Sequence, residues 1–399
     1  MISNEEHFLS TNRYHTQVVN NKAGMHDFIQ MPWLIYQDCP QYVPDMERDV
    51  AHVFDKRQNP GLASSDVAAF VAYDATGHAV GRIIGVINHK ANEIWQNSCI
   101  RFGMIEFIDD YEVSRVLIDS VVKWGKPKFE AKGAEEPAGQ TIVLEGPLGI
   151  TDFDKEGMLI DSFDQVGSMI SIYNPPYYPK HMERLGMDKA VDWIQIRIDL
   201  PAETPSRYVK AAKLVREMYE VNVRTLSRKD FLKKGAGKRI FQLLNKAYRP
   251  LFGFAELSDE QIEAFIRQYL PLIDLRMMPI VEDAEGNIVA VAVTMGSLTK
   301  ALQRSKGRLS PTGWIHLLRA IKFRHEDKVE MLLIAVDPDF QGLGVNALIF
   351  DYLVPCYHRL GYKWAETGPM LEDNQKVLTQ WRHLNPTIYK RRRCYQKKI

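Results

Sequence analysis

Leu332-Leu333-Ile334-Ala335-Val336-Asp337-Pro338-Asp339-Phe340-Gln341-Gly342-Leu343-Gly344-Val345-Asn346-Ala347-Leu348 is the stretch that decides the fold of this 399-residue chain. Its apolar opening reads as a strand, Asp337-Pro338 ends that strand, and an amphipathic helix follows from Gly344. Gly342 and Gly344 let the connecting backbone take positive φ or approach a ligand closely. Such a loop presents several N–H groups at a helix N-terminus, where the helix dipole also favours negative charge. The physics asks for a phosphate or pyrophosphate around Gln341 to Asn346. The plain alternative is a strand-to-helix turn whose glycines serve geometry alone.

Working outward, Lys328 to Val336 is expected as the whole strand and Gly344 to Leu360 as the helix, with Pro355 kinking it or marking its end. Ser258 to Leu270 opens with a serine cap and early acids. Met278 to Glu282 and Asn287 to Met295 read as a hairpin around Asp283-Ala284-Glu285-Gly286. Leu298 to Ser305 and Trp314 to Phe323 look helical, Lys363 to Met370 a strand, Asn374 to Leu384 a helix and Thr387 to Gln396 a strand.

The first half offers the same order. Asp27 to Tyr36 reads as helix, and Val67 to Tyr73 with Ala79 to Asn88 as a hairpin around Asp74-Ala75-Thr76-Gly77. Ile100 to Ile108 is a strand and Glu112 to Trp124 a helix with Val113, Val116, Leu117 and Val121 on one face. Thr141 to Glu145 is a strand, Tyr178 to Leu185 a helix and Val191 to Ile198 a strand. Duplication of one mixed α/β domain accounts for the echo. The proline pair in Leu200-Pro201-Ala202-Glu203-Thr204-Pro205-Ser206 sets the expected boundary, giving domains 1–200 and 201–399.

The segment Gln341-Gly342-Leu343-Gly344-Val345-Asn346, after a strand with Val336 and Pro338, resembles the signature of the GNAT superfamily of N-acyltransferases. The resemblance implies two tandem GNAT-like folds with mixed sheets. It implies that the loop Gln341, Gly342, Leu343, Gly344, Val345 and Asn346 cradles the pyrophosphate of acetyl-CoA or another acyl-CoA. The pantetheine arm would pair with the backbone of Ile334, Ala335 and Val336. Asn374 sits where the family often places an asparagine near that arm; a helix N-cap is the other reading, and the two can coexist. Glu330, 11 residues before Gln341, stands at the spacing of the family's general base; the alternative is a solvated acid at a strand start. The position of the family's acid tyrosine holds Trp381, which has no titratable proton.

In the first half the matching run, Phe107-Ile108-Asp109-Asp110-Tyr111-Glu112-Val113-Ser114-Arg115, has no glycine. Its Asp109, Asp110 and Glu112 would repel a pyrophosphate, so that half is expected to keep the fold without the cosubstrate. Tyr173-Asn174-Pro175-Pro176-Tyr177-Tyr178 reads as a rigid turn with packed rings, or as a wall facing substrate.

Composition narrows the rest. The 51 basic and 50 acidic residues leave a net charge of +1, so no global argument points to nucleic acid or an anionic membrane as a partner. No run of 18 apolar residues spans a bilayer. Met1 to Ser10 has no signal-peptide character, and a cytoplasmic location is the expectation. Cys39, Cys99, Cys356 and Cys394 form no C-x-x-C pair, and His325, His358 and His383 show no metal spacing. Lys390-Arg391-Arg392-Arg393 is expected on a solvated strand edge guarded by charge. The function expected is transfer of an acyl group from acyl-CoA to an amine of a small molecule or peptide, with no metal. The rivals are a non-catalytic GNAT-fold binding or scaffold protein, and a Fem-like aminoacyl transferase, which would need a broad basic face.

Overall fold

Two hairpins of the same construction anchor the sheets. Asp74 Oδ1 accepts the amide of His78 (3.0 Å) with Gly77 at φ +85°, and Asp283 Oδ1 accepts the amide of Asn287 (2.7 Å) with Gly286 at φ +81°. The aspartate closes each turn and glycine supplies the left-handed residue. The computed structural model describes residues 8–130, 141–233, 235–323 and 326–399, the side chains of residues 232 and 233 excepted. The polar stretch before residue 8 and His325 lie outside the described residues.

The chain forms two units: residues 1–167, 171–192 and 392–399 make unit 1, and residues 168–170 and 193–391 make unit 2. In chain order unit 1 contains β1 (Leu9–Ser10), β2 (Tyr14–Val18), α1 (Lys22–Gln30), α2 (Pro32–Tyr36), α3 (Glu47–His52), β3 (Ser65–Asp74), β4 (Ala79–Asn88) and α4 (His89–Trp95). It continues with β5 (Ser98–Phe107), α5 (Tyr111–Glu130), β6 (Ile142–Gly146), β7 (Met158–Leu159), α6 (Tyr177–Arg184) and the start of β8 (Asp188–Asp199). Strands β1 to β5 pair antiparallel in order and β6 joins β5 in parallel. The apolar face of α5, Val113, Val116, Leu117 and Val121, is wholly buried in a core with Ile83, Ile100 and Phe102.

Unit 2 takes the rest of β8, then α7 (Ser206–Tyr219), β9 (Asn222–Thr225), α8 (Arg228–Lys233), α9 (Ala236–Tyr248), α10 (Asp259–Tyr269), β10 (Pro279–Glu282) and β11 (Ile288–Gly296). After these come α11 (Thr299–Ser305), α12 (Gly313–Lys322), β12 (Lys328–Val336), α13 (Asn346–Arg359), β13 (Trp364–Thr367), β14 (Met370–Leu371), α14 (Gln375–Thr379) and β15 (Thr387–Lys398). The succession repeats that of unit 1: an antiparallel hairpin, a third antiparallel strand, a helix, then a parallel strand. Residues Ala212 and Val215 of α7, and Leu348, Leu353 and Tyr357 of α13, pack with Val329 and Ala365 in one core.

The expected boundary at 200/201 is displaced. The prolines do end β8 and precede α7, but β8 itself pairs with β13 of unit 2, Asp199 opposite Trp364 and Arg197 opposite Glu366. In return residues 395–398 of β15 pair with β6 of unit 1. A local breaker marks where a strand stops, and cannot mark which sheet the strand joins. The basic run is corrected too. Lys390 and Arg392 are buried (0% and 1% exposed) and Arg393 binds Asp192 through two bonds of 2.8 and 3.0 Å. Lys390 bonds Glu366 and Arg392 donates to the carbonyls of Gly157 and Ile172, so these cations lie inside the fold, where β15 has strand neighbours on both sides. Helix α13 continues through Pro355 to Arg359, and the helix expected to Leu384 is α14 followed by a short 3₁₀ turn, Arg382–Leu384.

Candidate active site in unit 2

Strand β12 has one covered edge and one that opens halfway. Along the first it pairs with β11 over its length, with a bulge at Leu332 between the pairs Thr294/Met331 and Val293/Leu333. Along the other it meets β13 only from Lys328/Trp364 to Met331/Thr367. The strands part at Gly368, whose amide donates to Met331 O (2.7 Å) and where a Cβ would come within 2.8 Å of Leu332 O. Beyond Pro369 the chain turns away as β14 pairs with residues 193–194 of β8. The amide of Asp337 donates to Val289 O (2.8 Å). Antiparallel alternation then bonds Ala335 and Leu333 to β11 and turns the backbone groups of Ile334 and Val336 to the open edge. There Tyr248 Oη donates to Ile334 O (3.1 Å) and Gln341 Nε2 to Val336 O (3.1 Å).

The loop leaves this edge directly. Gly342 and Gly344 sit at φ +81° and +86°, and nothing lies within 4 Å of where a Gly342 Cβ would stand. The amides of Leu343, Ala347 and Leu348 turn back on the chain, whereas those of Gly342, Gly344, Val345 and Asn346 find no backbone acceptor among the described residues. Donors without acceptors at a helix start fit an anion. Asp337 and Asp339, at the foot of the loop, are both held by Lys246 Nζ, 2.7 Å from Asp337 and 3.0 Å from Asp339. That one cation offsets half of the aspartates' charge beside the loop.

Before the bulge, β12 carries a buried charge cluster. Glu330 is 1% exposed, so it is not the solvated acid of the alternative reading. Lys328 Nζ lies 3.2 Å from Glu330 Oε1 and 2.9 Å from Glu366 Oε2, while Lys390 Nζ lies 2.6 Å from Glu366 Oε1. Gln195 also donates to Glu366 (3.2 Å). Burial would depress the Lys328 ammonium, but Glu330 and Glu366 outweigh it and hold its pKa well above the ordinary lysine range. Burial would raise Glu366, but Lys328 and Lys390 keep it lowered. The 3.2 Å contact lacks hydrogen-bond geometry, so neither Glu330 oxygen accepts a hydrogen bond among the described residues. A buried carboxylate with unused acceptor capacity is costly unless something else uses it.

The fold thus runs the open edge at Ile334 and Val336 straight into the loop Gln341 to Asn346, with Glu330 on the same strand; Ala335, expected on that edge, is instead buried with its backbone turned to β11. Asn374 caps α14, its Oδ1 accepting the Val377 amide (3.2 Å), and no hydrogen bond joins it to the loop among the described residues. Trp381 is buried against Phe350 and donates to Met370 Sδ (3.2 Å), a core residue. Sequence reasoning missed Tyr248 and Lys246, which act from α9; the helical spacing of Ile240, Leu243 and Leu244 was the signal for that element. In unit 1 the start of α5 is filled from within, since Asp110 accepts the Glu112 amide (2.9 Å) and pairs with Arg13 (2.8 Å). The tyrosine run there is internally bonded: Tyr178 Oη donates to Glu106 (2.8 Å), and Asn174 exchanges bonds with both backbone groups of Leu159 (2.7 and 3.0 Å).

No family model matches the chain. It is 27% identical over 388 residues to Protein YghO of Escherichia coli strain K12, covering 95% of this chain and 94% of that protein. It is 22% identical over 397 residues to a bacterial ceramide synthase of Caulobacter vibrioides, covering 96% of each. Among solved structures it matches the GCN5-related glucosamine N-acetyltransferase region of a fungal multi-domain GH3 β-N-acetylglucosaminidase with TM-score 0.54 and 12% identity, over 97% of this chain and 38% of that one. A tandem GNAT protein of the clavulanic acid biosynthesis pathway matches with TM-score 0.50 and 11% identity, over 96% and 98% of the two chains. The fold is a tandem GNAT fold.

Proposed function

We propose that unit 2 is an N-acyltransferase that draws its acyl group from acyl-CoA and delivers it to an amine. The observation that carries this reading is the continuity of the open β12 edge with a glycine loop whose amides lack acceptors. Gly342, Gly344, Val345 and Asn346 would hold the pyrophosphate, and Ile334 and Val336 the pantetheine arm. When bound, acyl-CoA would supply a thioester carbon open to attack by an amine, its carbon–sulfur bond breaking as the amide forms and coenzyme A leaving as the thiolate. Glu330 takes the proton that the attacking ammonium must lose, directly or through water. Backbone N–H groups on the open edge face the developing oxyanion, and pre-aimed donors of this kind contribute about 3 kcal/mol each. Ceramide is an amide of a long-chain amino alcohol, so the ceramide synthase relative makes such an amine the first acceptor to try beside small-molecule and peptide amines. A second reading, binding without catalysis, is favoured by Tyr248, whose hydroxyl already occupies the Ile334 carbonyl.

The test is thermal unfolding with acyl-CoAs of graded chain length. Saturation at about 100 times Kd adds roughly 2.7 kcal/mol to a native state that alone binds the ligand. The expected result is a rise in Tm that Gly344→Glu abolishes. No rise with any acyl-CoA sinks the enzyme reading and leaves the binding protein.

A further inference from the structure

Thirteen large hydrophobic side chains are exposed among the described residues, and four of them fall within ten residues: Trp314 (53%), Ile315 (37%), Leu318 (41%) and Phe323 (77%). They belong to α12 and its C-terminal cap. Only Leu317 and Gly313 of this helix are buried, and a Cβ at Gly313 would stand 1.6 Å from Arg308 O, so the helix is pinned along that narrow face. Trp314 and Leu318 lie one turn apart on the outward side, with Ile315 beside them. A globular unit gains nothing in water from an aromatic and aliphatic face held out in this way.

The charge around that face is one-sided. Residues 286–325 contain no aspartate or glutamate. Within them Lys300, Arg304, Lys306, Arg308, Arg319 and Lys322 are all exposed. The near-zero net charge of the whole chain hides this local excess. Arg319 and Lys322 stand one turn beyond Ile315 and Leu318 on the same outward side of α12. An outward helix face on which tryptophan, isoleucine and leucine are interleaved with long cations, with phenylalanine at its cap, suits the plane of a bilayer surface, its apolar side chains among the acyl chains and its cations reaching up to the headgroups. Nucleic acid would use the cations but not the exposed apolar face. That no helix among the described residues is long and apolar enough to cross a membrane does not bear on a helix that lies flat.

We propose that the α11–α12 face of unit 2 docks on an anionic lipid bilayer, with Trp314, Leu318 and Phe323 inserted and Arg319 and Lys322 at the phosphates. The inference does not rest on acyl transfer. The test is co-sedimentation of the full chain with vesicles of phosphatidylglycerol and phosphatidylethanolamine, against vesicles of phosphatidylcholine alone. Binding to the anionic vesicles is expected, weakening as salt rises. Trp314→Ser/Phe323→Ser and, separately, Arg319→Glu/Lys322→Glu should each lower the partition coefficient by at least about tenfold, with circular dichroism and Tm unchanged. Failure of the unaltered protein to bind, or binding by both variants as strong as that of the unaltered protein, overturns the proposal. So does a dimer in sedimentation velocity that the first variant dissolves while vesicles are ignored, since the face would then be covered by protein.

Discussion

At the scale of single residues, each unit buries a carboxylate, Glu330 in unit 2 and Glu106 in unit 1, whose removal has its own readable consequence. Glu330→Gln keeps the shape of the cluster around Lys328 and Glu366 but removes the base. Acyl transfer should fall by about 10²- to 10⁴-fold, with the acyl-CoA-induced rise in Tm retained; unchanged rates across pH would end the assignment. Glu106 of unit 1 has a different task. Tyr36 and Tyr178 donate to it at 2.6 and 2.8 Å, Arg82 stands 4.0 Å away, and burial dominates, pushing its pKa up to about 7. Its folded pKa is above the unfolded value, so between about pH 4.5 and 7 the folded state holds a proton that the unfolded chain has released. Stability must fall as pH rises through that window and level off above it. Urea unfolding of Glu106→Gln should show a smaller loss between pH 5 and 7.5, by up to about 3 kcal/mol. Asp152, also raised by burial to about 7, leaves a residual slope in both proteins, and an identical slope in the two would refute the role of Glu106.

At the scale of elements, legibility followed locality. Strand β12 was read at its observed bounds, because its apolar run, Asp337-Pro338 and the glycines are all local signals. The hairpins and the face of α5 were legible for the same reason, periods of 2 and 3.6 residues that each segment carries in itself. The serine cap at Ser258 and the acids after it marked the start of α10, where the structure adds a capping box with Gln261. Elements without such marks were passed over. Strand β9 is four residues long, and α9 starts at a glycine with no capping side chain. The site divides along the same line. Its loop and edge lie in one continuous run of sequence, so they were visible. Tyr248 reaches Ile334 across 86 residues, and Lys328 reaches Glu366 across 38. Pairings at such separations leave no local period. The burial of Glu330 was hidden for this reason, since nothing near it in sequence announces the lysine and the second glutamate that surround it.

At the scale of the whole molecule, the last strand of each half serves the other half's sheet. Residues 193–199 complete unit 2 beside β13, and residues 392–398 complete unit 1 beside β6 and β7. A fragment of residues 1–200 would therefore leave one edge of β6 unpaired and the pockets of Cys394 and Tyr395, both buried, unfilled. Calorimetry of that fragment should show no sharp transition, and a cooperative one would mean that residues 392–398 are dispensable. The same exchange has a consequence in time. A ribosome adds roughly 5–20 residues per second, so the residues between positions 192 and 392 take on the order of 10–40 s to emerge. Through that interval the nascent first unit waits with a bare, hydrogen-bond-hungry border, and a holdase chaperone or an early-folding second half must keep neighbouring polysomes from zipping onto it.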